Sequence, residues 1–212
     1  MNDTLNTLFN AIIEGDGPGV QSHVNAALEQ GQEPLTVLNE GMIAAMREVG
    51  KRFESGDFFV PEMLLSARAM QAGMALLKPR LLQSNVKSTG RVVIGTVKGD
   101  LHDIGKNLVA LMLEGAGFEI RDLGIDVATE DFLAALQKEP VDILALSALL
   151  TTTLPSVKQT IEAVQEAGLR GRVKIMIGGA PVTEAYAKGV GADGYAPDAS
   201  RAVILAEALM KG

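Results

Sequence analysis

Hydrophobic side chains recur every three or four positions through the first 83 residues, which is the spacing of one face of an α-helix. Two short helices are predicted over residues 3–14 and 19–29, and the turn sequence Gly15-Asp16-Gly17-Pro18 separates them. The two longer apolar faces that follow comprise Leu35, Leu38, Met42, Ala45, Val49 and Phe53, and then Met63, Ala67, Met70, Met74, Leu77 and Leu81. Four amphipathic helices with short connections predict a four-helix bundle.

After residue 90 the pattern changes, because short apolar runs alternate with amphipathic segments. Strands are predicted over residues 92–97, 118–123, 141–149, 173–177 and 194–196, and helices over residues 104–114, 130–138, 154–166, 184–188 and 200–210. Strand followed by helix, five times, is typical of an α/β domain whose parallel sheet is covered on both faces. The flavodoxin-like order 2-1-3-4-5, a Rossmann-like arrangement, is the simplest for five such units.

The polar segment 84–90 separates these two patterns. It predicts a helical domain over residues 1–88 and an α/β domain over residues 89–212, with a hinge between them.

The composition removes several classes of protein. The 212 residues carry 19 basic and 26 acidic side chains, and the resulting net charge of −7 argues against binding to nucleic acid. The absence of cysteine excludes disulfides and thiolate metal ligands, and it suits a reducing compartment. The longest apolar runs are too short to span a bilayer and the amino terminus lacks a signal-peptide pattern, so a cytoplasmic protein without a membrane partner is expected.

Polar side chains and glycines follow the three strands that are predicted to lie at the centre of the sheet. His102, one of two histidines in the chain, comes after the first strand together with Asp100. A row of side chains rich in hydroxyls runs from Ser147 to Thr153 after the third strand, and Gly178-Gly179 follows the fourth. Because ligands of open α/β sheets bind outside the carboxyl ends of the strands, these residues form the candidate site.

Familiar motifs for other ligands do not fit this edge of the sheet. The stretch from Gly99 to Gly105 is one residue too long for a phosphate-binding P-loop, and Asn107 follows its lysine. The string Gly189-x-Gly191-x-x-Gly194 matches the dinucleotide pattern, but it precedes a strand instead of following one. Ser147 stands where a phosphoacceptor receiver domain needs an aspartate.

A single histidine beside a carboxylate suits one kind of metal site, in which the imidazole is an axial ligand and a cofactor supplies the other ligands. Imidazole binds borderline transition metals, including cobalt. A ligating imidazole usually donates its other N–H to a carboxylate, and Asp100 is close enough in sequence to His102 to accept it.

The same residues also have ordinary structural interpretations, which the sequence leaves open. In these interpretations His102 is a loop residue, Ser147 and Thr151 cap strand ends, Gly178-Gly179 is a turn, and Phe53 belongs to the core of the bundle. Lys106 and His23 are predicted to be solvated, and Lys106 is not assigned to catalysis. The loop before the fourth helix is harder to explain in this way. It carries Phe58, Phe59 and Val60, which need an apolar surface to cover.

The string Asp100-x-His102-x-x-Gly105, followed by Ser147-x-Leu149 and then by Gly178-Gly179, resembles the signature of cobalamin-binding domains that hold the corrinoid "base-off/His-on". Together with the helical module before it, the string is similar to the small corrinoid proteins of anaerobic methyltransferase systems. It also resembles the corresponding segment of cobalamin-dependent methionine synthase. The resemblance covers nearly the whole chain.

This resemblance implies a role for each matched residue. His102 would ligate cobalt in place of dimethylbenzimidazole, Asp100 would accept the imidazole N–H, and Thr153 would extend this relay where methionine synthases have serine. The other residues implied to contact the cofactor are Gly99, Leu101, Asp103, Ile104, Gly105, Ser147, Leu149, Thr151, Gly178, Gly179 and Ala199. Phe53 and Val60 match positions that cap the upper, methyl-bearing face, so the helical domain becomes a cap domain.

The resemblance also implies a function, that of a methyl carrier which binds cobalamin, as methylcobalamin or a related corrinoid. Such a carrier accepts a methyl group on Co(I) from a substrate-specific methyltransferase. A second methyltransferase then transfers the methyl group to tetrahydrofolate or a thiol, and a reductive activase is the third implied partner. Two alternatives remain, a cobalamin-binding sensor or regulator and a mutase subunit.

Overall fold

The computed structural model describes residues 3–83 and 88–211. Its contacts divide the chain into two compact units, a helical unit built mainly from residues 3–83 and an α/β unit built mainly from residues 88–211. The predicted hinge over residues 84–90 lies partly outside the described residues, so the hinge and the predicted domain boundary stay predictions. Within the described ranges, no helix is long and apolar enough to cross a membrane.

The helical unit contains the helical segments that the sequence predicts. Their bounds are α1, Asp3–Ile13; α2, Gly17–Glu29; α3, Pro34–Thr36; a π-helix, Val37–Ile43; α4, Ala44–Ser55; and α5, Val60–Gln83. The α3 helix, the π-helix and α4 follow one another directly and together form the predicted third helix. The π-helical turn, with hydrogen bonds between residues five apart, is a widening that the regular apolar spacing does not reveal.

Local sequence explains where these helices begin and end, and their apolar faces explain why they pack. Asp16 caps α2, because its carboxylate accepts a hydrogen bond from the Gly19 amide at 3.0 Å. Gly56 ends α4 with a left-handed φ of 82°. Met42 and Val49, on the predicted apolar face, are fully buried. Each such side chain contributes roughly 1.5–3 kcal/mol to stability.

The α/β unit confirms the predicted alternation of strands and helices. Its strands are β1, Arg91–Thr96; β2, Glu119–Asp122; β3, Ile143–Ser147; β4, Lys174–Gly178; and β5, Gly194–Ala196. Its helices are α6, Ile104–Gly115; α7, Thr129–Lys138; α8, Leu154–Glu166; α9, Glu184–Gly189; and α10, Ala199–Leu209, and a short 3₁₀ helix covers Thr151–Thr153. The strands form one parallel sheet in the order β2-β1-β3-β4-β5, which is the order that the sequence predicts.

The register of the sheet brings three strand ends together. Thr96 of β1 pairs with Ser147 of β3, and Ser147 pairs with Gly178 of β4. Successive residues of β3, such as Ile143 and Leu144, point to opposite faces and are both fully buried, because helices cover the sheet on both sides. The loops that follow β1, β3 and β4 therefore start side by side at one edge.

Candidate cofactor site

The loop after β1 carries the two predicted catalytic side chains, Asp100 and His102, at the switch point of the sheet, where the strand order reverses between β1 and β3. Gly99 opens the loop with a φ of 86°, a left-handed conformation that glycine adopts without strain. At its far end the buried Thr96 hydroxyl donates to the His102 carbonyl at 2.8 Å. Both ends of the short turn that holds the imidazole are thus fixed.

Asp100 is fully buried and accepts hydrogen bonds on both carboxylate oxygens. Oδ1 accepts from the His102 amide at 3.1 Å and lies 2.7 Å from its Nδ1. Oδ2 accepts from the Leu149 amide at 2.7 Å, the Leu150 amide at 3.3 Å and the Thr153 hydroxyl at 2.8 Å. One carboxylate therefore joins the loop after β1 to the loop after β3.

These hydrogen bonds determine the charge of Asp100. Burial is the largest single influence, and alone it raises the pKa of a carboxyl group. The Leu149 amide, the His102 ring and amide, and the Thr153 hydroxyl act together in the opposite direction and hold the pKa of Asp100 well below its ordinary value of 3.8. Asp100 is therefore a carboxylate at neutral pH. Because a carboxylate only accepts hydrogen bonds, Nδ1 of His102 carries the hydrogen between them.

His102 is consequently held by one ring nitrogen and leaves the other available. Its side chain is 49% exposed, whereas that of Asp100 is completely covered. In the described part of the chain, Nε2 has no hydrogen-bond partner. With the hydrogen on Nδ1, the lone pair of the neutral imidazole is on Nε2, which is the arrangement of a metal-ligating histidine backed by a carboxylate.

Thr153 lies where the sequence predicts it, as the last residue of the 3₁₀ helix that leads into α8. It is buried, and its hydroxyl is 2.8 Å from Asp100 Oδ2 and 2.9 Å from the Leu150 carbonyl oxygen. One hydroxyl hydrogen serves two acceptors, so Asp100 and the Leu150 carbonyl share it. The predicted contact from His102 through Asp100 to Thr153 is present, and its role toward cobalt stays a prediction.

The glycines of the site have different reasons to be glycine. At Gly179, where φ is 125°, an added Cβ would lie 1.8 Å from the Ala148 carbonyl oxygen. At Gly178 it would lie 3.0 Å from the Ala196 carbonyl oxygen. The missing side chain at these two positions thus lets the backbone of neighbouring strand ends approach closely. The sequence suggests contact with a ligand there. An added Cβ at Gly105 would meet nothing within 4 Å, so open space adjoins the first turn of α6.

The remaining predicted contact residues surround this centre with mixed chemistry. Leu101, Ile104 and Leu149 are apolar and exposed, at 68%, 77% and 41% respectively. Asp103, Ser147 and Thr151 offer polar groups to the same edge, and the carboxylate of Asp103 accepts from Nδ2 of the Asn107 side chain at 3.1 Å. An apolar rim around one free imidazole nitrogen suits a large cofactor that is mostly apolar.

Three predicted residues are placed less clearly for contact with a cofactor. Ala199 is buried at the start of α10, where Asp198 caps the helix by accepting from the Arg201 amide at 2.8 Å. In the helical unit Phe53 is half-buried and Val60 is 37% exposed. The roles that the resemblance implies for Ala199, Phe53 and Val60 stay predictions.

The structure contradicts the prediction for Lys106. Its side chain is buried, not solvated, and forms an ion pair with Asp122 at the end of β2. It also donates to Asn107 Oδ1 at 2.6 Å. The sequence pattern missed this pair because the two residues are 16 positions apart and meet only once α6 packs beside the sheet.

The donor atoms at this edge fit a metal that brings its own macrocycle. Within the described residues, no group of three or more histidine, cysteine, aspartate or glutamate side chains could hold a metal ion. A metal held by His102 would have one protein ligand there, and a cofactor would have to supply the others. A corrinoid matches these features, since it leaves an axial position for Nε2 and has an extended surface for the apolar rim.

Together, the parallel sheet, its switch point and the half-exposed imidazole backed by a buried carboxylate define a protein that binds a metal-containing cofactor. Residues 90–204 match the family described as the B12 binding domain, and residues 4–78 match a second family of the same description. The chain belongs to the corrinoid proteins with B12-binding domains, and its predicted cobalamin cofactor is confirmed.

Relatives and solved structures resemble the chain over nearly its whole length. Trimethylamine corrinoid protein 2 of Methanosarcina acetivorans is 44% identical over 203 residues, which are 95% of this chain and 94% of that protein. A cobalamin-binding protein from Desulfitobacterium hafniense DCB-2 has a TM-score of 0.81 at 33% identity and covers 97% of this chain and 98% of its own. The methanol:cobalamin methyltransferase complex of Methanosarcina barkeri contains a chain with a TM-score of 0.87 at 32% identity, over 100% of this chain and 81% of that one.

Proposed function

We propose that this protein is a methyl carrier in a methyltransferase system, with His102 as the cobalt ligand of its corrinoid. The observation that carries the proposal is the 2.7 Å contact between His102 Nδ1 and the buried Asp100 carboxylate, which leaves Nε2 free for a metal. Similar proteins include a trimethylamine corrinoid protein and a chain of a methanol:cobalamin methyltransferase complex. Both likenesses support the proposal of methyl transfer.

When bound, the corrinoid supplies the cobalt atom that takes up and releases the methyl group. The chain's own residues orient and tune the imidazole. Asp100 accepts the hydrogen of Nδ1, which fixes the ring and makes Nε2 a stronger donor. Thr153 and the Leu149 amide hold the carboxylate in place. The predicted contact residues around them line the slot for the cofactor.

The Asp100–His102 pair also holds a proton. When Nε2 is bound to a metal it cannot be protonated, and when it is released it can take up a proton beside the negative charge of Asp100. The pair would therefore gain one proton if the imidazole left a bound metal. The Thr153 hydroxyl can follow this change, because it has a second acceptor at the Leu150 carbonyl.

The partners in this proposal are a substrate-specific methyltransferase, a second methyltransferase that uses tetrahydrofolate or a thiol, and a reductive activase. Phe53 and Val60 would shield the methyl group from water. Phe59, which is 66% exposed, adds apolar surface beside Val60. A cytoplasmic location fits the absence of cysteine. The sensor and mutase alternatives gain no support from the proteins named above.

Reconstitution with hydroxocobalamin tests the ligand role, because the visible spectrum distinguishes imidazole from water as the axial ligand. Wild type and His23→Ala, which removes the other histidine, should show the imidazole-ligated spectrum and keep the cofactor after desalting. His102→Ala should lose both properties. A spectrum and retention in His102→Ala that equal those of wild type would overturn the ligand role.

The carrier role needs a separate measurement. Protein loaded with methylcobalamin is incubated with purified thiol-dependent or tetrahydrofolate-dependent methyltransferases, and the loss of its methyl group is followed by absorbance. We expect one of these enzymes to demethylate the wild-type protein faster than it demethylates free methylcobalamin. Demethylation at the rate of the free cofactor by every enzyme of both classes would contradict the carrier role.

A further inference from the structure

The loop between β2 and α7 lies against the His102 loop and contains a backbone exception. Among the described residues, Asp126 is the only non-glycine residue with a positive φ, of 53°. This left-handed conformation is unfavourable for most side chains, and asparagine and aspartate tolerate it best. Such strain persists only where surrounding contacts fix it, and Asp126 has three such contacts.

Asp126 binds the His102 loop on both sides of one peptide bond. Its amide donates to the Asp100 carbonyl oxygen at 3.0 Å. Its carboxylate Oδ1 accepts from the Gly99 amide at 2.8 Å, and its Oδ2 accepts from the Lys98 ammonium at 3.0 Å. The two peptide groups that flank the Gly99–Asp100 peptide are therefore held by the backbone and by the side chain of a single residue.

We propose that Asp126 is a positioning residue, which aims the Asp100 carboxylate at His102 by holding the backbone at the Gly99 amide and at the Asp100 carbonyl. The inference rests on the proposed role of His102 as the cobalt ligand. Thr96 holds the turn at the His102 carbonyl, and Asp126 holds it at Gly99 and Asp100. Loss of the Asp126 contacts loosens the turn between these points, and the 2.7 Å contact from Asp100 to Nδ1 depends on that turn.

The ion pair with Lys98 does not explain Asp126 by itself. The two side chains are 60% and 41% exposed, and exposed ion pairs contribute little because water screens them. The hydrogen bond from the Gly99 amide is also the largest influence that lowers the pKa of Asp126, ahead of Lys98. The contact with the loop backbone is thus the specific one.

Three substitutions separate positioning from folding. Asp126→Ala removes the carboxylate and keeps the unfavourable φ, whereas Asp126→Gly removes the carboxylate and relieves it. Asp126→Asn keeps an Oδ1 acceptor for the Gly99 amide and tolerates the left-handed backbone. Asp131→Ala, at an exposed acid in the first turn of α7, and Lys98→Ala are the matched controls.

The first readout is amide hydrogen exchange at Gly99 in the cofactor-free protein, followed by NMR. Exchange should be about tenfold faster in Asp126→Gly and Asp126→Ala, and close to wild type in Asp126→Asn. The second readout is the imidazole-ligated fraction of protein loaded with hydroxocobalamin. It should fall in the Ala and Gly variants, return in Asp126→Asn and stay unchanged in both controls.

The outcomes distinguish this inference from the proposed function. If Asp126→Gly matches wild type in Gly99 exchange and in ligated fraction, Asp126 is not a positioning residue. If Lys98→Ala lowers the ligated fraction as much as Asp126→Gly does, the ion pair is responsible and the inference is wrong. If wild type and His102→Ala have the same spectrum, the proposed function fails, and the inference fails with it.

Discussion

Two acid–base pairs lie at the amino end of α6. In one pair the base is exposed to solvent, and in the other pair the acid is. In the exposed-base pair, Asp100–His102, the acid is fully covered and the base is 49% exposed. In the buried-base pair, Lys106–Asp122, the lysine side chain is 1% exposed and the aspartate side chain is 37% exposed. The first pair keeps its charge inside the protein and offers a neutral nitrogen to a ligand, whereas the second uses its base entirely within the protein.

This difference fits the proposed roles, in which the exposed-base pair binds the cofactor and the buried-base pair serves structure. A buried acid with donors around both oxygens remains ionised. It orients the imidazole beside it through one ring nitrogen and leaves the other ring nitrogen available. A buried ammonium has to find its acceptors within the protein, and Lys106 has two, the Asp122 carboxylate and the Asn107 side-chain oxygen. The buried-base pair therefore fastens the start of α6 to the end of β2, next to the loop that holds His102.

Removal of the buried acid should cause the largest loss of stability. Asp100→Ala removes the acceptor of the Leu149, Leu150 and His102 amides and of the His102 ring, and it leaves the Thr153 hydroxyl with only the Leu150 carbonyl. We expect a loss of about 3–5 kcal/mol in the free energy of unfolding of the cofactor-free protein, measured with urea. The control Asp131→Ala should cost less than about 0.5 kcal/mol. Equal losses in the two variants would show that Asp100 is not the centre of the network.

The pH dependence of the same network has a definite sign. Because the pKa of Asp100 is lowered in the folded protein, its contribution is complete above the ordinary value of 3.8 and is lost as the pH falls below that value toward the folded pKa. The clean comparison is His102→Ala against the double variant His102→Ala/Asp100→Asn, because it removes the titration of the imidazole. Their difference in unfolding free energy should be constant from about pH 5 to about pH 8 and shrink in acid. A difference that grows in acid would contradict the assigned charge.

In the buried-base pair, Lys106–Asp122, the base should be the costly member to leave without its partner, whereas in the exposed-base pair the acid is the buried member. Asp122→Asn leaves the Lys106 ammonium buried with a neutral partner, and we expect a loss of about 2 kcal/mol. Lys106→Met fills the same space with an apolar chain and leaves a carboxylate that is already partly exposed, so the loss should be less than about 1 kcal/mol. Urea unfolding of both variants measures the difference. A greater loss in Lys106→Met would mean that the acid, not the base, is the costly member to leave alone.

The sequence predicts the fold well because the apolar patterns differ so clearly between the two units. The strand order could be predicted because five repeated units have one simple parallel arrangement. The π-helix at Val37–Ile43 could not, since the side-chain spacing continues through it unchanged. The hinge segment was predicted from polar composition alone, and part of it lies outside the described residues.

Asp100 and His102 could be predicted because they closely follow the end of β1, whereas the role of Thr153, at the end of the 3₁₀ helix after β3, came from the resemblance to a known family. The contacts from other elements could not be predicted. Lys106 of α6 was assigned to solvent because its partner Asp122 belongs to another element, the strand β2. Asp126 carried no motif, and its importance depends on a backbone angle and on a loop packed beside it. Spacing along the chain predicts the candidate site residues themselves, whereas the residues that hold them in place become visible only in the packed structure.

The smallest effect should come from Thr153→Ser, which tests whether the extra methyl group matters to the exposed-base pair. The methyl group lies close to the backbone of Gly99, since a Cβ added there would be 3.6 Å from Thr153 Cγ2. A β-branched side chain has fewer rotamers, so this packing helps to hold the hydroxyl on Asp100. Loss of one buried methyl group should cost about 0.8 kcal/mol in urea unfolding and leave the imidazole-ligated spectrum unchanged. Thr153→Val, which keeps the methyl group and loses the hydroxyl, should cost more, because Asp100 then loses a donor. If serine proves more damaging than valine, the methyl group and not the hydroxyl is what the exposed-base pair requires at this position.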